Sequence, residues 1–242
     1  MKIVVANQKN YLDKEETLSF LKMYRKCSWK KDVILCPALV FLSLCNSSDL
    51  IIGSQYVSLR SPFSSGVTAS QLSGLGIKYC IVGHSDNRNY QGESSKDVIE
   101  KVKLLLKNEI TPIICFSESE KPVSDSGLLA SINEELSLIK GNFSKEEIEK
   151  VIFAYEPFYN INNSKTSNAS LDLEKITLVL DYFKNELESK YDTKIKLIYG
   201  GNANPNNIAH LNSIKSLDGY LIGRASSNFE NLEKMINIIN NS

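Results

Sequence analysis

Short apolar runs alternate with longer amphipathic stretches along the whole chain. Ile3–Ala6, Asp32–Cys36, Leu50–Gly53, Tyr79–Val82, Pro112–Cys115, Val151–Tyr155, Ile195–Tyr199 and Gly219–Ile222 have the length and apolar content of buried strands. Glu15–Lys26, Ser94–Lys107, Ser126–Lys140, Leu171–Lys190 and Phe229–Ile239 read as helices. In each, Leu, Ile, Val and Phe recur at three- and four-residue intervals and so share one face. Asp13, Ser94 and Asp125 are the expected N-caps, since a short carboxylate or hydroxyl can accept from the first free amides.

Counting strand-plus-helix units gives eight, the pattern of a parallel sheet, and eight such units close a barrel. A doubly wound open sheet would want a glycine-rich turn after the first strand, and Asn7-Gln8-Lys9-Asn10-Tyr11 has no glycine. No linker, composition shift or short repeat divides the chain. The expected fold class is therefore α/β, a single-domain (β/α)8 barrel over residues 1–242.

Composition narrows the partners. Lys plus Arg equals Asp plus Glu, 28 each, so no general field favours nucleic acid or an anionic membrane. An anionic ligand must then be held by local geometry. The cysteines at 27, 36, 45, 80 and 115 form no metal-ligand cluster, and an odd number argues against a complete disulfide framework. Cys36, Cys80 and Cys115 lie in strand-like runs, where reduced thiols behave as small buried hydrophobes. With two histidines a zinc site is not expected. The N-terminus turns polar too soon for a secretory signal and no run is long enough to cross a bilayer, so a cytoplasmic protein is expected.

In a barrel the chemistry emerges at the C-terminal ends of the strands. Those positions carry Asn7 and Lys9, His84 and Ser85, Glu118, Glu156, Gly200-Gly201-Asn202, and Gly223-Arg224. The sixth run ends in Glu156-Pro157, a carboxylate followed by a residue that cannot extend the ladder. The polar stretch from Phe158 to Thr166 then suits a lid above a base. Gly200-Gly201 lets backbone approach an anion, and Gly223-Arg224-Ala225-Ser226 precedes the last helix. Together they fit the phosphate site that barrels build after strands seven and eight.

Asn7-x-Lys9, Val82-Gly83-His84-Ser85, Ala154-Tyr155-Glu156-Pro157, Tyr199-Gly200-Gly201 and Asp218-Gly219-Tyr220-Leu221-Ile222-Gly223 stand in the order, and at about the spacing, found in triosephosphate isomerases. The chain resembles that family from its first strand to its last. The resemblance implies a TIM barrel and a cofactor-free isomerase of glycolysis and gluconeogenesis. Its small-molecule substrate would be a triose phosphate, either D-glyceraldehyde 3-phosphate or dihydroxyacetone phosphate.

Such a reaction moves one proton between adjacent carbons and another between their oxygens. It needs a base, a donor that bridges both oxygens, and a cation for the enediolate. By resemblance Glu156 is the base and Lys9 the cation, with Asn7 beside it. His84 is the electrophile, acting as a neutral imidazole, a point established for triosephosphate isomerases rather than derived from these residues. Asp86 stands where the family has a glutamate paired with the lysine, and is one methylene shorter. The phosphate falls to Gly201, Asn202, Gly223, Arg224 and, from the lid, Asn162.

Other departures are local. Arg224 replaces a second glycine, Asn202 a serine, and Asn162 and Ser164 the glycines of the lid tip. Tyr159 replaces the lid's tryptophan, with its hydroxyl within plausible reach of Glu118. A working lid with altered closure is expected. Residues Arg60 to Thr68, with Phe63 as apolar anchor, occupy the place of the segment that reaches into a partner, so a homodimer is implied. His210 is expected to be structural. The competing reading is a barrel of the same descent that binds a phosphorylated ligand with weakened or lost turnover. A third is another phosphosugar isomerase or lyase. Retention of Lys9, His84 and Glu156 together favours the active isomerase.

Overall fold

Eight parallel strands follow one another in sequence order around a closed barrel. They are β1 Ile3–Asn7, β2 Val33–Cys36, β3 Ile51–Ser54, β4 Tyr79–Val82, β5 Thr111–Phe116, β6 Ile152–Tyr155, β7 Lys196–Tyr199 and β8 Gly219–Ile222. The computed structural model describes residues 2–59, 66–118, 124–157 and 171–241. All eight expected strands are present, with ends displaced by at most one residue. Phe63, Tyr159, Asn162 and Ser164 lie outside the described residues.

The strands are apolar on both faces because both are covered. One set of alternate residues, including Val5, Ile34, Ile81, Ile113, Ala154, Ile198 and Leu221, fills the barrel interior. The other set, including Val4, Leu35, Val82, Phe116, Tyr155 and Ile222, packs outward against the helices. In that outer layer Phe116 stacks on Phe183 with ring centroids 3.9 Å apart. The five expected helices form as Lys14–Tyr24, Ser95–Lys107, Asp125–Asn142, Leu173–Tyr191 and Phe229–Asn240. Asp13 accepts the Glu16 amide at 2.9 Å and Glu16 returns the bond at 2.9 Å, which satisfies two amides at the helix start. Ser94 likewise caps its helix through the Asp97 amide. Asp125 is a correction: it is the first helical residue, and Ser124 is the cap, accepting the Gly127 amide at 3.2 Å. Both residues suit a helix start, so sequence alone could not separate them.

All five cysteines are free, and Cys36, Cys45, Cys80 and Cys115 are buried. Burial raises their thiol pKa values, that of Cys45 to about 11, and leaves them unreactive packing groups. Among the described residues no helix is long and apolar enough to cross a membrane.

The barrel closes where β1 meets β8, in the register Ile3↔Gly219 and Val5↔Leu221. A Cβ on Gly219 would overlap the Ile3 carbonyl, which is backbone in the ladder and cannot turn aside. Gly219→Ala is expected to cost about 2–3 kcal/mol of stability. For a chain of this length that lowers Tm by roughly 4–12 °C. Thermal unfolding read by circular dichroism measures it, and an unchanged Tm would show that the seam gives.

Candidate active site

Strand periodicity aims most of the site. Ile152 and Ala154 face the barrel interior, so Glu156, two residues on, emerges at the interior mouth. The same parity carries Val5 to Asn7, Ile198 to Gly200, and Leu221 to Gly223. Glu118 falls on the opposite parity. It follows outward-facing Phe116, is fully buried, and accepts the Tyr155 hydroxyl at 3.1 Å.

His84 breaks the rule. Val82 faces outward, so a regular strand would turn His84 outward too. Gly83 prevents this with φ +72°, a left-handed conformation that suits glycine. A side chain there would also meet the Cys115 carbonyl at 2.8 Å. The Gly83 peptide is pinned from both sides: its N–H donates to Glu93 Oε2 at 2.9 Å and its carbonyl accepts from Arg88 Nε at 2.9 Å. Glu93 is itself buried against Lys101 Nζ in a close ion pair. The reoriented His84 caps the helix Ser85–Gln91, its Nδ1 accepting the Asp86 amide at 3.1 Å. A ring nitrogen that accepts an amide proton carries none of its own, so the neutral ring holds its proton on Nε2. That nitrogen lies 3.2 Å from Glu156 Oε1. The other carboxylate oxygen, Oε2, accepts the Ser85 amide at 2.9 Å.

Lys9 lies beyond the end of β1 with φ +49°, an uncommon conformation for a side-chain-bearing residue. The turn is held by Gln55 Nε2, which donates to the Lys9 and Cys36 carbonyls at 2.9 Å each, and by Asn7 Oδ1, which accepts the Lys9 amide at 3.2 Å. Lys9 Nζ sits 2.9 Å from Asp86 Oδ2. The shorter acidic residue therefore still reaches the lysine, because the loop after β1 and the first turn of the helix after β4 meet at one end of the barrel.

One cavity of about 420 Å³ collects these groups: Asn7, Lys9, His84, Glu156, Gly201, Asn202, Gly223 and Arg224 all line it. Its size suits a small phosphorylated molecule. Asp86 does not line it and lies behind, in the wall of an adjoining cavity shared with Lys9 and His84. The glycines have packing reasons of their own. A Cβ on Gly200 would come 3.0 Å from Glu156 Cγ, and one on Gly201 would overlap the Tyr199 hydroxyl. Gly200 thus gives the carboxylate room to move.

Comparison with family models matches residues 2–239 to triosephosphate isomerase. The chain belongs to the triosephosphate isomerase family. It is 29% identical to the triosephosphate isomerase of Lactobacillus gasseri, with 97% of each chain covered. It is 35% identical to that of Mycoplasma capricolum over 69% of this chain and 68% of the relative. With that of Dictyoglomus turgidum the identity is 27% over 93% and 94%. Membership fixes the reaction: the protein is an isomerase that interconverts D-glyceraldehyde 3-phosphate and dihydroxyacetone phosphate.

Several residues that shape this cavity received no role from the sequence. Ser85 binds Glu156 through its backbone amide, which every non-proline residue has, so its identity gave no signal. Glu93 and Lys101 could have been noticed as an eight-residue pair across a helix start, but burial alone distinguishes them from a solvated pair. Tyr11 and Gln55 were visible at strand-end loops and carried no motif.

Proposed function

We propose that Glu156 is the base of the isomerisation, His84 the proton donor to the substrate oxygens, and Lys9, flanked by Asn7, the cation that stabilises the enediolate. The observation that carries this reading is the convergence of the three on one cavity, with His84 Nε2 3.2 Å from Glu156 Oε1. In the reaction Glu156 exchanges the Ser85 amide for a substrate carbon, in the space left by Gly200. It removes a proton from one carbon and returns it to the neighbour. His84, whose Nδ1 accepts the Asp86 amide, donates from Nε2 to one oxygen and recovers a proton from the other. Lys9 meets the negative charge on those oxygens, while Asp86 fixes the ammonium from behind.

The phosphate falls to Gly201, Asn202, Gly223 and Arg224 in the same cavity. Asn162 retains its part in phosphate binding on the resemblance alone. The Lys9–Asp86 contact at 2.9 Å removes one ground for a barrel of weakened turnover. A coupled assay in both directions, on the natural chain and on Glu156→Gln, tests the assignment, and full activity in the variant would end it.

We also infer a homodimer. Supporting it, Val40 is 75% exposed, and with Leu39 and Tyr56 it borders the adjoining cavity of about 700 Å³ behind Lys9 and Asp86. Apolar area that a partner covers is removed from water, which is favourable. Sedimentation velocity is expected to show the doubled mass at micromolar concentration, and a monomer there would refute it.

A further inference from the structure

Three charged side chains line the cavity, and two of them have partners. Lys9 is paired with Asp86, and Glu156 is held by Ser85 and His84. The third, Arg224, meets no carboxylate among the described residues. Its contact is instead Tyr11, which lines the same cavity. Arg224 Nε donates to the Tyr11 hydroxyl at 3.4 Å, and the guanidinium carbon lies 5.6 Å from the centre of the Tyr11 ring. The pair ties the loop after β1 to the loop after β8, which are neighbours in the barrel. Tyr11 is 44% exposed, so packing does not account for a large aromatic ring there.

We infer that Tyr11 and Arg224 form one anion-recognition unit, in which Tyr11 fixes the guanidinium and Arg224 selects substrates that carry a phosphate dianion. The inference rests on the reading of this cavity as the site of the isomerisation, and it adds a positioning residue and a specificity determinant to it.

The chemistry is that of a guanidinium with one edge committed. Nε is used on Tyr11, which leaves the two terminal nitrogens for a second acceptor. Their spacing matches two oxygens of a phosphate, and such charge-assisted pairs are the stronger hydrogen bonds. An arginine on an exposed loop ordinarily loses rotamer freedom when it binds. A ring that holds it beforehand removes part of that loss. The hydroxyl and the ring face act together, so Tyr11 need not touch the substrate. With 28 positive and 28 negative residues, no excess charge elsewhere does the same work at long range.

The test compares kcat/KM for D-glyceraldehyde 3-phosphate with kcat/KM for D-glyceraldehyde, which lacks the phosphate. Arg224→Gln is expected to lower that ratio about tenfold and to raise the inhibition constant of inorganic phosphate about tenfold, the size of one charge-assisted contact at a hydrated site. Its KM should also lose part of its dependence on ionic strength. Tyr11→Leu is expected to lower the ratio about threefold in the natural background. In the Arg224→Gln background it should lower it no further. A ratio unmoved by Arg224→Gln overturns the selection role. A Tyr11→Leu penalty that persists in full without the arginine overturns the positioning role. Glu156→Gln, run beside them, keeps the outcomes apart. If it abolishes turnover while the Arg224→Gln ratio stays at the natural value, the isomerase mechanism stands and this inference falls.

Discussion

Glu156→Gln is expected to lower kcat on the order of a thousandfold, within the range that the proposed general base would contribute. The amide cannot take up the carbon-bound proton. It also misfits its surroundings, because one oxygen of Glu156 accepts the Ser85 amide and the other faces the protonated Nε2 of His84. A glutamine can satisfy one of these donors and must present N–H groups to the other. Glu156→Asp keeps the base and withdraws it by one methylene, so a loss of about a hundredfold is expected, the size of an ångström-scale misplacement. Both variants should fold, since Glu156 adds no ion pair to the core. The check is the coupled assay in both directions, with circular dichroism as the control for folding. A glutamine variant that turns over at the natural rate would remove Glu156 from the chemistry.

Lys101→Met is expected to cost about 3–5 kcal/mol of stability, because it leaves the Glu93 carboxylate buried without its counter-charge. At this chain length Tm should fall by roughly 6–20 °C. The Tyr56 ring, 4.4 Å from the ammonium, offers the carboxylate no compensation. Replacing both partners, Glu93→Gln with Lys101→Met, should recover much of the loss, because the uncompensated charge is gone. The effect on catalysis follows a different route. Glu93 Oε2 holds the Gly83 amide, and Gly83 is the residue that turns His84 inward. The double variant keeps an acceptor for that amide and should retain more of kcat than Glu93→Ala, which removes it. Equal kcat in the two would show that the Gly83 peptide keeps its conformation without help.

These two sites differ in how far they could be read beforehand. Glu156 was legible because strand periodicity is local: once Val151–Tyr155 is a strand, the side chain two beyond Ala154 must share its face. Asn7, Gly200 and Gly223 followed by the same count. His84 was legible as a motif and not as a direction, because periodicity points it outward. Its inward turn needs a positive φ at Gly83, and the peptide that adopts it is held by Arg88 from the following helix and by Glu93 from the loop after that helix. The N-cap at Ser124 rather than Asp125 shows the same limit on a smaller scale, where neighbouring residues of equal capping ability are separated by backbone geometry.

By itself the sequence determined the eight alternating units, the two-faced apolar strands, and therefore the closed barrel and the end at which chemistry collects. It also determined which strand-end residues share the interior parity. These are properties of neighbours along the chain, set by the two-residue repeat of a strand and the steric demands of single residues. The tertiary structure alone decided that Asp86 reaches Lys9 despite its shorter side chain, that Ser85 and His84 hold both oxygens of Glu156, and that Tyr11 meets Arg224. Each of those contacts joins segments that are distant in sequence, and their distances depend on how the barrel brings strand ends together.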